Sequence, residues 1–209
     1  MVPSPNCRLC PRLAVFRDDQ RTAHGDWFNA PVPSFGGNDA RLLVVGLAPG
    51  LRGANRTGRP FTGDFAGDLL YATLQRFGFA TGVYRADPQD GLTLVDCMIT
   101  NAVRCVPPEN KPLPLEIRTC NSFLKDQIAG LERLTAIVAL GRIAHDATLT
   151  ALGEKKSRYG FGHGARHKIG RVSLFDSYHC SRYNTNTGVL TTEMFEAVFA
   201  KVREAIKPA

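Results

Sequence analysis

An α/β fold, a mostly parallel sheet covered by helices on both faces, is predicted by three observations. Four short apolar runs recur along the chain and alternate with stretches of helical period. The first run, Leu42–Gly46, feeds a loop rich in Gly, Pro and Arg and then a helical stretch, the opening unit of an open α/β sheet. The 209 residues, 44% hydrophobic, suffice for one domain, 1–209, with a sizeable core.

Each element follows from its local pattern. Cys7 and Cys10 form a CxxC ahead of Pro11 and Arg12. Residues 13–40 show no steady period and contain Trp27, Phe28, three Gly and two Pro. They are expected to form an irregular arm over the domain, and so long a structureless stretch needs a tether. Leu42–Gly46 reads as a buried strand. Leu47–Gly63 holds four Gly, two Pro and three Arg, which suits a ligand-facing loop: Gly admits close backbone approach and Arg offers fixed donor forks. Phe65–Phe79 reads as a helix with Leu69, Leu70, Leu74 and Phe77 on one side.

Turns are expected over 80–91 and a second strand over Leu92–Asn101. Four prolines keep 102–114 irregular. A helix over Leu115–Leu134, a strand over Thr135–Leu140 and a helix over Arg142–Leu152 follow. A Gly-rich and basic loop spans 153–168, a fourth strand Arg171–Asp176, and a polar irregular stretch 177–188. Phe195, Val198, Phe199 and Val202 form the stripe of a closing helix, Thr191–Ile206.

The formal charge of +7 and a pI near 9.3 favour a nucleic-acid partner over a merely basic surface. No apolar run is long enough to span a bilayer, and the first residues lack the basic-then-apolar pattern of a signal peptide. A cytoplasmic, nucleoid-associated monomer is expected, and six cysteines in such a chain argue against a disulfide framework.

Cys7, Cys10, Cys105 and Cys120 form a pattern, the second pair separated by fourteen residues. A CxxC closed by a distant pair suits a zinc held by four thiolates or a [4Fe-4S] cluster, and composition leaves both open beside a simple redox pair. Cys97 reads as a core residue and Cys180 as a packing residue. At the strand ends, Asp64 and Asp68 follow the first strand, Asn101 closes the second and His179 follows the fourth, so all reach the same sheet edge. The first loop lacks GxGxxG and the Lys-Ser/Thr of a phosphate loop. Its Arg52, Arg56 and Arg59, with Lys155, Lys156, Arg158, His163, Arg166, His167 and Lys168 of the later loop, suit a polyanion instead, against the alternative of a solvated face.

The GLAPG…GANRTGRPFTGD loop, the TNAVRC…PPENKP segment and the SYHCSRYNTNTG ending resemble the uracil-DNA glycosylase superfamily, in its family 5, the iron–sulfur type B enzymes. The resemblance runs from Cys7 to the final helix. It implies a three-layer α/β/α sandwich around a four-stranded parallel sheet, hydrolysis of uracil and other deaminated bases from double-stranded DNA, and a [4Fe-4S] cluster on Cys7, Cys10, Cys105 and Cys120. The cluster would tether the arm 1–40. The resemblance further implies Asp64 as the catalytic carboxylate and His179 as the histidine at the base carbonyl. Asn101 would be the base-reading amide and Phe61 the stacking aromatic, with Gly46 and Ala48 beside them in the base site. Arg52, Arg56, Arg166, Lys168, Arg182 and Asn184 would face DNA, the last two in a loop like the one that enters the minor groove. Gly50 stands where some members have Ala, which would leave more room beside the base. Asp68 is expected to cap or brace the loop, and arginines near Asp64 to favour its charged form. A non-catalytic iron–sulfur DNA-binding module, and more remotely a zinc nuclease, are the competing readings.

Overall fold

The structure, a computed structural model, describes residues 3–206. In chain order the elements are α1 (Pro11–Ala23), β1 (Phe35–Gly36), β2 (Leu42–Gly46), α2 (Ala54–Thr57), α3 (Phe65–Arg76), β3 (Ala80–Thr81), β4 (Thr93–Leu94), β5 (Cys97–Asn101), α4 (Pro114–Gly130), β6 (Ala136–Leu140), α5 (Arg142–Ala151), β7 (Arg166–Ile169), β8 (Val172–Ser177), α6 (Arg182–Asn186) and α7 (Thr192–Ile206).

The main sheet has six strands in the order β1-β5-β2-β6-β8-β7. The inner four, β5-β2-β6-β8, are parallel, and β1 and β7 pair antiparallel at the edges. The expected sheet of four strands is therefore wider by two short edge strands. The inner strands read as unbroken apolar runs because both faces are covered. On one face Leu42, Val44, Ile99, Val138 and Phe175 pack with Leu70 and Leu74 of α3 and Phe195 and Phe199 of α7. On the other, Leu43, Val45, Ile137 and Leu174 pack with Leu124 of α4 and Ala144 and Ala147 of α5. All four parallel strands end at one edge, where the loops after β2, β5 and β8 meet.

Three departures from the sequence reading have local causes. Residues 11–23 are helical, with Pro11 in the first turn, where its missing N–H leaves no bond unmade. The helical period is hidden because Arg17 is among its buried positions, with Leu13 and Ala14. The expected second strand is broken at Asp96, whose φ of 53° ends one segment before Cys97 starts the next. Thr93–Leu94 instead pairs with Ala80–Thr81. Within 177–188, Ser181 accepts the N–H of Asn184 and starts α6.

The loop from β2 to α3 is held from below by Arg59. Its guanidinium bonds both oxygens of Asp90 at 2.8 Å, and its Nε donates to Thr62 at 2.7 Å. The pair is buried, and Arg59 holds the Asp90 carboxyl well below its ordinary range. Removing one partner of a buried pair strands the other charge. Asp90→Asn is expected to lower unfolding free energy by about 3–5 kcal/mol, read as a fall in the urea midpoint.

Candidate active site and thiol centre

A cleft of about 420 Å³ opens at the edge where the parallel strands end, and Ala48, Phe61, Asp64, Asn101, His179 and Arg182 are among its walls. Gly46, the last residue of β2, is buried behind it rather than lining it. A Cβ there would run into Asn101 Oδ1 and the Phe61 ring, so glycine is what lets those two side chains meet over the strand end. Phe61 holds a left-handed backbone, φ 53°, and is 6% exposed. Its loop is fixed by Tyr71 Oη donating to Pro60 O at 2.6 Å and Tyr84 Oη donating to Phe61 O at 3.1 Å. Its ring lies 6.0 Å from that of His179, at 29°. Asn101 is buried, and its Oδ1 has no hydrogen-bond partner among the described residues. A buried amide oxygen without a partner is costly unless a ligand N–H meets it.

Asp64 is the N-cap of α3 and accepts the N–H of Gly67 at 3.3 Å. The capping role expected of Asp68 thus belongs to Asp64. Asp68 is exposed one turn on. Burial raises the Asp64 pKa, with the Gly67 and Ala66 N–H groups opposing. Desolvation, rather than neighbouring arginines, sets the state of this carboxyl. It sits tightly against the glycines of its own loop: a Cβ at Gly53 would collide with it, and one at Gly50 would lie 3.2 Å from Oδ2. Gly50 therefore makes room for the carboxyl rather than directly for a ligand ring. Burial also depresses the His179 pKa to about 4, so the ring is neutral at pH 7.

The basic residues separate by position. Arg182 stands on the cleft wall with its guanidinium 5.3 Å over the Phe65 ring. Arg52 and Arg56 are exposed on the loop after β2, where Arg56 Nε donates to Arg52 O. Arg166 packs 5.3 Å over Phe175 on the sheet edge. Lys168 donates to Arg171 O at the turn into β8, at the end of that strand opposite the cleft. Asn184 turns inward and donates to His179 O at 2.8 Å, bracing that segment. Asn110, Ser181 and the 74% exposed Tyr183 were not singled out from sequence, although PPENKP and SRYN were visible as motifs. Only the folded loops bring Asn110 and Ser181 to the cleft.

The four cysteines converge on a second cavity, lined by Cys7, Cys10, Cys105 and Cys120 together with Leu13, Val103 and Phe123. Cys10 precedes α1, Cys120 lies within α4, and Arg12 clamps the two helices through a bidentate bond to Glu116. Burial pushes the Cys10 thiol up to about 11 and the Cys105 thiol to about 12, and a bound metal cation would favour the thiolate forms. Four sulfur donors around one small cavity, Cys105 and Cys120 buried and Cys7 and Cys10 half-buried, fit a thiolate-bound metal centre.

A separate group, His145, His167 and Asp176, brings ligand atoms within 4.8 Å of one another and has the spacing to hold one ion. In the structure it is joined internally. His145 Nδ1 lies 2.7 Å from Asp176 Oδ1, His145 Nε2 lies 3.1 Å from Tyr159 O, and His167 Nε2 lies 3.3 Å from Asp176 Oδ2. Burial lowers the His145 pKa, but the bond and charge of Asp176 together raise it above its usual value. Both ring nitrogens face acceptors, as an imidazolium requires.

Residues 33–203 match the family profile described as "Uracil DNA glycosylase superfamily". The chain is 45% identical over 203 residues to a "Type-5 uracil-DNA glycosylase" of Thermus thermophilus, an alignment covering 94% of this chain and 92% of the relative. A protein of the same description from Mycobacterium bovis is 42% identical, with 95% of this chain and 77% of the relative covered. One from Pyrobaculum aerophilum is 38% identical, with 94% and 87% covered. The chain therefore belongs to the uracil-DNA glycosylase superfamily, in its type-5 branch.

Proposed function

We propose that this chain is a DNA glycosylase acting in base-excision repair. It hydrolyses the N-glycosidic bond of uracil, and of other deaminated bases such as hypoxanthine, in double-stranded DNA and leaves an abasic site. The observation that carries the reading is the cleft in which an unpartnered Asn101 oxygen, the Phe61 ring, neutral His179 and half-buried Asp64 face one space. A base cannot be reached inside a duplex, so the nucleotide is extruded at a cost of about a few kcal/mol, least at a G·U mismatch. Arg182 at the cleft wall and Arg52 and Arg56 on the adjacent loop supply phosphate contacts, with Arg166 further along the same side. Lys168 and Asn184 contribute less directly, the one at the far turn and the other through the His179 backbone. Tyr183, exposed on α6, is placed to enter the stack that the base leaves.

In the cleft the extruded ring stacks on Phe61, and Asn101 Oδ1 accepts the lactam N–H that uracil and hypoxanthine share. Gly46 behind the site lets Phe61 and Asn101 meet, and Ala48 lines its wall. As the C1′–N bond breaks, its electron pair moves to the base and positive charge grows on the sugar. Neutral His179 donates to the base carbonyl, and the Asp64 carboxylate faces the sugar or orients the water that adds to C1′. Each is electrostatic stabilisation at a place where charge develops, worth several-fold more in a dry site than in water. Cys7, Cys10, Cys105 and Cys120 would hold a [4Fe-4S] cluster whose contribution is a structural cross-link. It would tie the start of α1, and with it the N-terminal arm, to α4, so that the described residues fold as one unit.

Incubation with a G·U duplex followed by alkaline treatment is expected to cut the uracil strand at the abasic site. Retained DNA binding without any cleavage would leave a binding module and contradict the glycosylase reading. Asn101→Asp puts a charge against the base carbonyl and removes a donor, and uracil release is expected to fall at least roughly tenfold; full activity would place Asn101 outside the base site. The acid limb of the pH–rate profile is expected above the ordinary Asp value of 3.8, because burial raises the Asp64 pKa and protonation removes the needed charge. The depressed His179 pKa adds stability that is present above the unfolded value of 6.5 and is lost as pH falls towards about 4, measurable as a declining melting temperature over that range.

A further inference from the structure

The thiol cavity is flanked by two cations that no carboxylate among the described residues balances. Arg17 on α1 and Arg104 after β5 are each 1% exposed. Their neighbours Arg12 and Arg21 pair with Glu116 and Asp18, but no carboxylate among the described residues lies within ion-pair reach of Arg17 or Arg104. Arg17 instead points one nitrogen at Cys105 Sγ, 3.6 Å away, and another at Cys7 O, 2.8 Å away. Arg104 lines the thiol cavity, donates its backbone N–H to Cys120 Sγ at 3.4 Å, and ties its guanidinium to Ser34 Oγ at 2.8 Å. The Nε of each is buried without a partner.

A buried guanidinium without a counter-charge is strongly unfavourable, and such charges persist when paired. The groups beside these two that can become anionic are the cysteines themselves. A [4Fe-4S] core of charge 2+ bound by four thiolates carries two negative charges in net, equal to the two cations. We infer that Arg17 and Arg104 are the built-in counter-charges of the thiolate centre: they neutralise the loaded cluster and set its reduction potential and its hold on iron. This rests on the iron–sulfur reading of the four cysteines. It also explains why α1 spends a buried position on arginine. With the thiols protonated and no cluster, the cavity would confine two positive charges with no negative one.

The test uses full-length protein purified anaerobically with its cluster, wild type beside Arg17→Met, Arg104→Met and Arg17→Lys. Iron and acid-labile sulfide are counted first, then the one-electron potential is measured by protein-film voltammetry and iron loss to a chelator is timed. Removing a cation beside the cluster disfavours the added electron, so both Met variants are expected to shift the potential to more negative values and to lose iron roughly tenfold faster. Arg17→Lys, which keeps the charge, is expected to stay near wild type. If the Met variants do not accumulate as folded protein, Arg17→Gln and Arg104→Gln, which keep hydrogen-bond donors but drop the charge, are expected to give the same shifts. Iron-loaded wild type with neutral variants of unchanged potential and unchanged iron retention would overturn the counter-charge role alone. Wild type isolated without iron and sulfide would overturn the iron–sulfur reading itself, and this inference with it.

Discussion

The site depends on one constraint: the seventeen-residue loop Leu47–Gly63 must return Phe61 and Asp64 over the end of the strand from which it starts. A loop rich in glycine would not hold that course alone, because each glycine adds freedom to be lost on folding. Arg59 supplies the hold. It lies buried among the rings of Phe35, Tyr71 and Tyr84, each within 5.8 Å of its guanidinium carbon, while its nitrogens close on Asp90 and Thr62. The aromatic cage and the ion pair together fix the backbone from Pro60 to Thr62. The left-handed Phe61 follows from that fixation, at a conformational cost of about 1–3 kcal/mol. Glycines 46, 50 and 53 then serve a different purpose, leaving the space that Asn101, Phe61 and the Asp64 carboxyl occupy.

Burial does opposite things to the two ionisable groups of the cleft. It raises Asp64 and lowers His179, so both neutral forms are favoured by the same dry surroundings. A neutral imidazole suits a donor that must not repel the cation developing on the sugar. A carboxylate that is poorly solvated interacts more strongly with that cation than an exposed one would. Capping α3 with Asp64 adds a structural duty to this group, since its Oδ1 also satisfies the N–H of Gly67. The exposed Asp68 has neither the desolvation nor the enclosure.

The parallel core was legible in the sequence because its strands, buried on both faces, are short unbroken apolar runs, as in Leu42–Gly46 and Ala136–Leu140. The convergence of Asp64, Asn101 and His179 was legible for a topological reason: parallel strands all end at one edge. Other features were hidden by tertiary context. Arg17 interrupts the apolar stripe of α1 at a position that is nevertheless buried, so a helix looked like an irregular arm. Arg166–Ile169 has the composition of a basic loop, and only pairing with β8 makes it a strand. The start of α3 at Phe65 was legible, but Asp64 just before it read only as a site carboxylate, and its second use as the N-cap shows only in the fold. Arg59 read as one more basic residue of a ligand loop, because its partner Asp90 lies thirty-one positions away.

The central claim is that Asp64 is the carboxylate of the reaction, with His179 and Asn101 on the far side of the breaking bond. Single-turnover cleavage of a saturating G·U duplex by Asp64→Asn, Asp68→Asn and His179→Ala tests it directly. Asp64→Asn is expected to lose at least about a hundredfold, equivalent to about 2.7 kcal/mol, with DNA affinity nearly unchanged. His179→Ala loses less, and Asp68→Asn stays near wild type. An Asp64→Asn enzyme as fast as wild type, with Asp68→Asn the slowest of the three, would contradict it.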